Sequence, residues 1–109
     1  MIHEIKSKKQ VVATIKKRRV VAFQINITDP DYMQSIEVPI WANTIAIDAD
    51  GAIWAYESTA EEVRIVGGQG EAWCDGGKAK NRLDQIGTMA RFPDWAKSKI
   101  DLRGLKEHE

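Results

Sequence analysis

The side chains that most often do chemistry in proteins are scarce in this sequence. Cys74 is the single cysteine, and the two histidines, His3 and His108, lie far from it along the chain. A cysteine nucleophile needs a neighbouring base, and a structural zinc site needs four ligands. No carboxylate lies in a markedly apolar segment that would raise its pKa for acid–base work. We therefore predict that the protein is not an enzyme and holds no metal or cofactor.

Two glycine-containing stretches resemble ligand-binding loops but lack the residues that such loops need. Asp48-Ala-Asp-Gly51 could begin a calcium loop, yet Ala46 stands where the first oxygen ligand is required. Asp75-Gly-Gly-Lys78 contains the Gly-Lys pair of a phosphate-binding loop, but Ala79 follows it in place of serine or threonine. Both stretches are typical of turns.

The densest run of positive charge is the cluster Lys16, Lys17, Arg18 and Arg19, which could contact nucleic-acid phosphates. The net charge of the chain is zero because residues 1–19 are strongly basic, whereas residues 29–75 carry ten acidic groups against one arginine. The acidic middle would repel nucleic acid, and a charged run is most often simply solvated. Direct nucleic-acid binding by this cluster is our second hypothesis.

Aromatic residues suggest a surface that binds protein. Four tryptophans are many for 109 residues, and tryptophan and tyrosine are common at binding hot spots. We predict a protein-binding surface made by Trp54, Tyr56 and Trp41. The alternative is that all four tryptophans pack beneath the C-terminal helix.

The element that positions these aromatic residues is a predicted β-hairpin with arms at residues 44–48 and 52–57. Gly51 in its turn accepts the positive φ that a tight hairpin turn demands. Side chains alternate along a strand, so Trp54 and Tyr56 share one face of the second arm.

The remaining segments indicate a mainly β, α+β fold: an antiparallel meander sheet with one short C-terminal helix. Residues 1–19 are compatible with strand or helix, and their β-branched residues favour strand. Pro93 and Asp94 begin a helix that we expect to run to residue 102, with Gly104 ending it. Further strands are predicted at residues 20–27, 35–41, 61–66, 71–75 and 82–88.

The length predicts a single domain over residues 1–109, with residues 1–8 and 105–109 frayed. The basic N-terminus carries no long apolar run, so we expect neither a secretory signal nor a membrane span. A lone thiol favours a reducing, cytoplasmic setting.

The stretch Trp41-Ala-Asn-Thr-Ile-Ala, followed by Asp48-x-Asp-Gly51 and Trp54-x-Tyr-Glu57, resembles a group of small uncharacterised phage and prophage proteins. The pair Asp94-Trp95 matches the tryptophan that begins the last element in that group. The similarity covers about residues 38–58 and 93–102. It implies a phage accessory protein and brings no activity, cofactor or catalytic residue; such small proteins often bind a host enzyme or defence complex.

Three functional hypotheses follow from these observations. The first is a phage-type accessory protein that, in the host cytoplasm, binds a host protein or a defence or nucleic-acid-processing complex, with inhibition as one outcome. The second is direct nucleic-acid binding by the basic N-terminal segment. The third is a homo-oligomeric virion or assembly component, and a homodimer is compatible with the sequence. No membrane partner is expected.

Overall fold

The first four strands form one antiparallel sheet, here called the N-terminal sheet. The computed structural model describes residues 2–17, 23–67 and 70–107. Along β3, apolar and polar residues alternate, so Phe23, Ile25 and Ile27 are buried while Gln24 and Asn26 are not. The strands, in their order across the sheet, are β1 (Ile2–Ser7), β2 (Gln10–Lys17), β3 (Phe23–Ile27) and β4 (Gln34–Val38).

The later strands form a second antiparallel sheet, here called the C-terminal sheet, and a small separate hairpin. The strands are β5 (Thr44–Ile47), β6 (Ala52–Tyr56), β7 (Val63–Ile65), β8 (Trp73–Asp75), β9 (Leu83–Thr88) and β10 (Ile100–Asp101). The order across the sheet is β10-β5-β6-β9, and β7 pairs with β8 in the hairpin. A 3₁₀ turn, Trp95–Lys97, precedes β10, and helix α1 (Leu102–Glu107) follows it. No helix in the described ranges is long and apolar enough to cross a membrane.

The apolar faces of the two sheets share one core. Ile15 and Ile25 enter it from the N-terminal sheet, and Ile45, Ile47 and Ile53 enter it from the C-terminal sheet. The opposite face of the C-terminal sheet is also covered, because the β7–β8 hairpin packs against it. This double cover explains why all four residues of β5 are buried.

The predicted β5–β6 hairpin is confirmed, and each arm is one residue shorter than expected. Its turn is closed by two backbone hydrogen bonds: Gly51 N donates to Asp48 O, and Asp48 N donates to Ala52 O, both over 2.9 Å. Gly51 has a φ of 95°, as the turn requires. The carboxylate of Asp50 accepts a further bond from Ala52 N at 2.9 Å.

The predicted fold class, α+β with mostly antiparallel strands and a short C-terminal helix, is confirmed, but both chain ends differ from the predictions. Residues 2–7 were expected to fray, yet they form β1 and pair with β2. The helix predicted over residues 93–102 is wrong. Residues 100–101 pair instead with β5, and Gly104 lies inside α1 rather than ending a helix. Pairing with a buried strand outweighs local helix preference in this segment. Residues 108–109 lie outside the described ranges.

One serine ties the C-terminal segment to the edge of β5. Ser98 is buried, and its Oγ accepts a 2.9 Å hydrogen bond from Ile47 N while lying 3.0 Å from Ile47 O and 2.7 Å from Trp95 O. This hydroxyl thus satisfies a backbone N–H that would otherwise be buried without a partner.

Replacing that hydroxyl should destabilise the protein. We expect Ser98→Ala to lower the free energy of unfolding by about 1–3 kcal/mol, because Ile47 N–H would lose its acceptor in the core. Urea unfolding measures the change. Ser35→Ala is the matched control, since Ser35 is exposed and its loss should change stability by less than about 0.5 kcal/mol. Equal effects of the two substitutions would contradict the role of Ser98.

Candidate binding groove

A groove of about 600 Å³ lies between the β1–β2 hairpin and residues 92–100. We call it the lysine groove. Residues 4–9 form one wall and residues 92–100 form the other. The lining side chains are Glu4, Ile5, Lys6, Lys8, Lys9, Phe92, Asp94, Lys97, Ser98, Lys99 and Ile100.

The floor of the groove is apolar. Ile5 comes from β1, Phe92 from the segment after β9, and Ile100 from β10, and all three are buried members of the main core. The backbone fixes Phe92, since its N–H donates to Ala49 O at 2.9 Å. A ligand in the groove would therefore meet a preformed hydrophobic base.

The rim of the groove is positively charged. Lys6, Lys8, Lys9 and Lys97 are exposed, and two carboxylates, Glu4 and Asp94, offset only part of their charge. Asp94 is already engaged, because its Oδ2 accepts a 2.9 Å hydrogen bond from Lys8 N. The rim thus attracts anions.

Lys99 also lines the groove, but its ammonium group is occupied on the other side of the C-terminal sheet. Its Nζ donates to Ala60 O at 2.7 Å and to Val63 O at 3.0 Å, and it lies 5.5 Å from the centre of a Trp73 ring. These contacts fix the segment that carries Lys97 and Ile100, so Lys99 has a structural role rather than a ligand-binding one.

The turn that joins β1 to β2 has an uncommon backbone. Lys8 and Lys9 have φ values of 51° and 68°, and they are the only non-glycine residues with positive φ in the described part of the chain. A two-residue hairpin turn needs this conformation, which asparagine and glycine adopt more readily than lysine. The turn therefore accepts some strain and presents two lysines at the mouth of the groove.

A second cavity, of about 200 Å³, lies beside the lysine groove. Lys8 and Phe92 line both cavities, while Asp29 and Arg91 line only the smaller one.

The predicted aromatic surface is largely covered by other parts of the protein. Trp54 and Tyr56 do share a face of β6, but that face lies beneath the β7–β8 hairpin. Tyr56 is only 2% exposed, so it belongs to the core and presents no contact surface. Trp54 is half-buried. Trp41 is half-buried too, packs against the main core, and lies 5.9 Å beneath the guanidinium of Arg82.

Two titratable side chains near Trp54, those of Tyr56 and Asp48, have raised pKa values, which favour their neutral forms. Burial raises the pKa of the Tyr56 hydroxyl, and the nearby Asp48 and Asp75 carboxylates raise it further. Burial also raises the pKa of Asp48, although a hydrogen bond from Trp73 N partly offsets the rise. The indole N–H of Trp54 lies near enough to Asp48 to lower that pKa, yet it has no hydrogen-bond partner among the described residues.

The other two tryptophans, Trp73 and Trp95, connect the β7–β8 hairpin to the C-terminal sheet and to the segment before β10. Trp73 Nε1 lies 3.1 Å from both Ile47 O and Trp95 O, and the Trp73 and Trp95 rings meet edge to face at 6.2 Å. The alternative, in which all four tryptophans pack beneath the C-terminal helix, does not hold either, because Trp54 and Trp73 pack with the β7–β8 hairpin.

The predicted basic cluster lies at the edge of the described residues. Lys16 and Lys17 are the last two residues of β2, and their side chains are not among the described parts of the structure. Arg18 and Arg19 lie outside the described residues. Nucleic-acid binding by this cluster therefore stays a prediction.

The sequence did not predict the lysine groove. A weak signal for one wall was present, because Lys8 and Lys9 lie between a segment that contains Ile2 and Ile5 and a β-branched run at residues 11–15, at the spacing of a hairpin turn. No signal connected Lys97 to them, since it is 88 residues from Lys9 and reaches the groove only through the pairing of β10 with β5.

Comparisons of the chain with protein-family models, with curated proteins and with solved structures found no match.

Proposed function

We propose that this protein is a non-enzymatic binding protein that holds an acidic segment of a partner protein in the lysine groove. The single observation that carries the proposal is the groove's make-up: exposed lysines surround a buried apolar floor. Such a site attracts negative charge at its rim and gains affinity from apolar contact at its base. Following the resemblance to phage and prophage proteins, we propose that the partner is a host protein or complex in the cytoplasm.

The groove suits an acidic polypeptide better than a nucleic acid. Sites for single-stranded nucleic acid combine positive charge with aromatic rings on which bases stack. Among the described residues, Phe92 is the only aromatic side chain that lines the lysine groove, and at 2% exposure its ring is not available for stacking.

Reversing the charge of two rim lysines should weaken this binding. We expect Lys6→Glu/Lys97→Glu to reduce the affinity for a ten-residue peptide of alternating Glu and Val at least tenfold, because attraction at the rim becomes repulsion. NMR titration measures the affinity, with shifts expected at the amides of Lys6, Lys8 and Lys97. Lys78→Glu/Lys80→Glu is the matched control, with the same charge change at two exposed lysines outside the groove.

The same titration with DNA separates the hypotheses. We expect duplex DNA to bind no tighter than about 10⁻⁵ M at physiological salt, which is a non-specific level. Submicromolar DNA binding that is lost in Lys6→Glu/Lys97→Glu would overturn the proposal in favour of nucleic-acid recognition. Failure of the wild-type protein to bind the peptide would also contradict it.

A further inference from the structure

One wall of the lysine groove is formed in part by the outer edge of β1. This strand is the outermost of the N-terminal sheet and, among the described residues, pairs only with β2. Glu4, Ile5 and Lys6 of the strand form one wall of the groove. The outer backbone N–H and C=O groups of an edge strand are available for hydrogen bonding with another extended chain.

Resting on the proposed function, we infer that the acidic segment binds by strand addition, as a fifth strand of the N-terminal sheet along β1. Main-chain hydrogen bonds to β1 supply affinity in this mode, and the side chains supply specificity. Side chains of the added strand point alternately to the two faces of the sheet. One set faces the apolar side of the groove at Ile5 and Ile100, and the other lies beside the exposed lysines. The segment recognised is therefore one in which acidic and apolar residues alternate.

The edge of β1 is long enough for such a strand. β1 has six residues, which at about 3.3 Å per residue gives an edge of roughly 20 Å, and Glu4, Ile5 and Lys6 in its middle line the groove. The opposite wall is held in place, because Ile100 pairs with Ile45 and the Ser98 hydroxyl bonds to Ile47. The incoming strand thus enters a preformed slot between two fixed walls, which reduces the entropy lost on binding.

Charge selects the occupant of this edge. If two copies of the chain paired through β1, their rim lysines would be brought close together. Lysines at a sheet edge are a recognised means of preventing such self-association. An acidic strand experiences attraction where a second copy experiences repulsion.

The test uses the wild-type protein and three ten-residue peptides of alternating Glu and Val. One is unmodified, one is N-methylated on every Glu, and one is N-methylated on every Val. In an extended chain the N–H groups of successive residues point to opposite edges, so the N–H groups of only one residue type, Glu or Val, face β1. We expect one methylated peptide to lose at least tenfold in affinity and the other to stay within about threefold of the unmodified peptide. Alternate amides of β1 should also exchange more slowly with solvent in the complex.

Three results would overturn the inference. If the unmodified peptide binds and both methylated peptides bind equally well, side chains alone hold the segment, which leaves the proposed function standing without strand addition. If the unmodified peptide does not bind at all, the proposed function and this inference are both wrong. If sedimentation shows a dimer that the peptide dissociates, the occupant of the β1 edge is a second copy.

Discussion

Gly51→Ala should destabilise the protein strongly, although it adds only one methyl group. A Cβ at this position would lie 2.0 Å from Met89 O and 2.7 Å from Ala90 O, and both are backbone atoms with little freedom to move. The φ of 95° adds a penalty for any residue other than glycine. Strain of about 1–2 kcal/mol and overpacking of about 1–3 kcal/mol together predict a loss of roughly 2–5 kcal/mol in unfolding free energy.

Gly104→Ala is the matched control. Gly104 lies in α1, has a negative φ, and would present its new methyl to open space. Because alanine favours helix over glycine by up to about 1 kcal/mol, we expect this substitution to be neutral or stabilising. Thermal melts of the two variants should therefore move in opposite directions or differ by more than about 10 °C, given about 4–8 °C per kcal/mol in a domain of this size. Similar melting temperatures would contradict the close approach of residues 89–90 to the hairpin turn.

Phe92→Ala should produce the second large effect. Its ring is 2% exposed, belongs to the core between the two sheets, and lines both the lysine groove and the smaller cavity. Removing a buried phenyl ring costs about 3–5 kcal/mol, through lost transfer free energy and the cavity left behind. The ring also supports the base of the lysine groove from inside the core, so its loss would deform the groove.

Phe92→Leu separates these two consequences. A leucine keeps much of the apolar volume, so its cost in urea unfolding should stay below about 2 kcal/mol and the groove floor should persist. We expect Phe92→Leu to bind the Glu/Val peptide within about threefold of wild type. A Phe92→Ala protein as stable as wild type would show that the ring is not part of the core.

The structural elements that the sequence predicted correctly are those whose signals lie within one short segment. The β5–β6 hairpin depends on a turn glycine and on alternation over 13 residues, and both signals lie within the segment itself. The same is true of the strand over residues 23–27. For residues 23–27 the period of two places Phe23, Ile25 and Ile27 on one face, and that face is the buried one.

What the sequence could not predict depends on distant contacts. Alternation put Trp54 and Tyr56 on one face, but no rule in the sequence states that residues 63–75 fold back to cover it. Local helix signals at Pro93 and Asp94 were outweighed by the pairing of Ile100 with Ile45, 55 residues away in the chain. The lysine groove could not be predicted for the same reason, because its two walls come together only when the N-terminal and C-terminal sheets pack on each other.

The distance in sequence between β5 and β10 also has a consequence during synthesis. The N-terminal sheet joins consecutive strands, so it can form as soon as residue 38 has left the ribosome. The outer edge of β5 must wait for Ser98 and β10, about 54 residues later. At about 5–20 residues per second, that hydrophobic edge stays uncovered on the nascent chain for roughly 3–11 s. In that interval the edge of β5 is open to pairing with other extended chains.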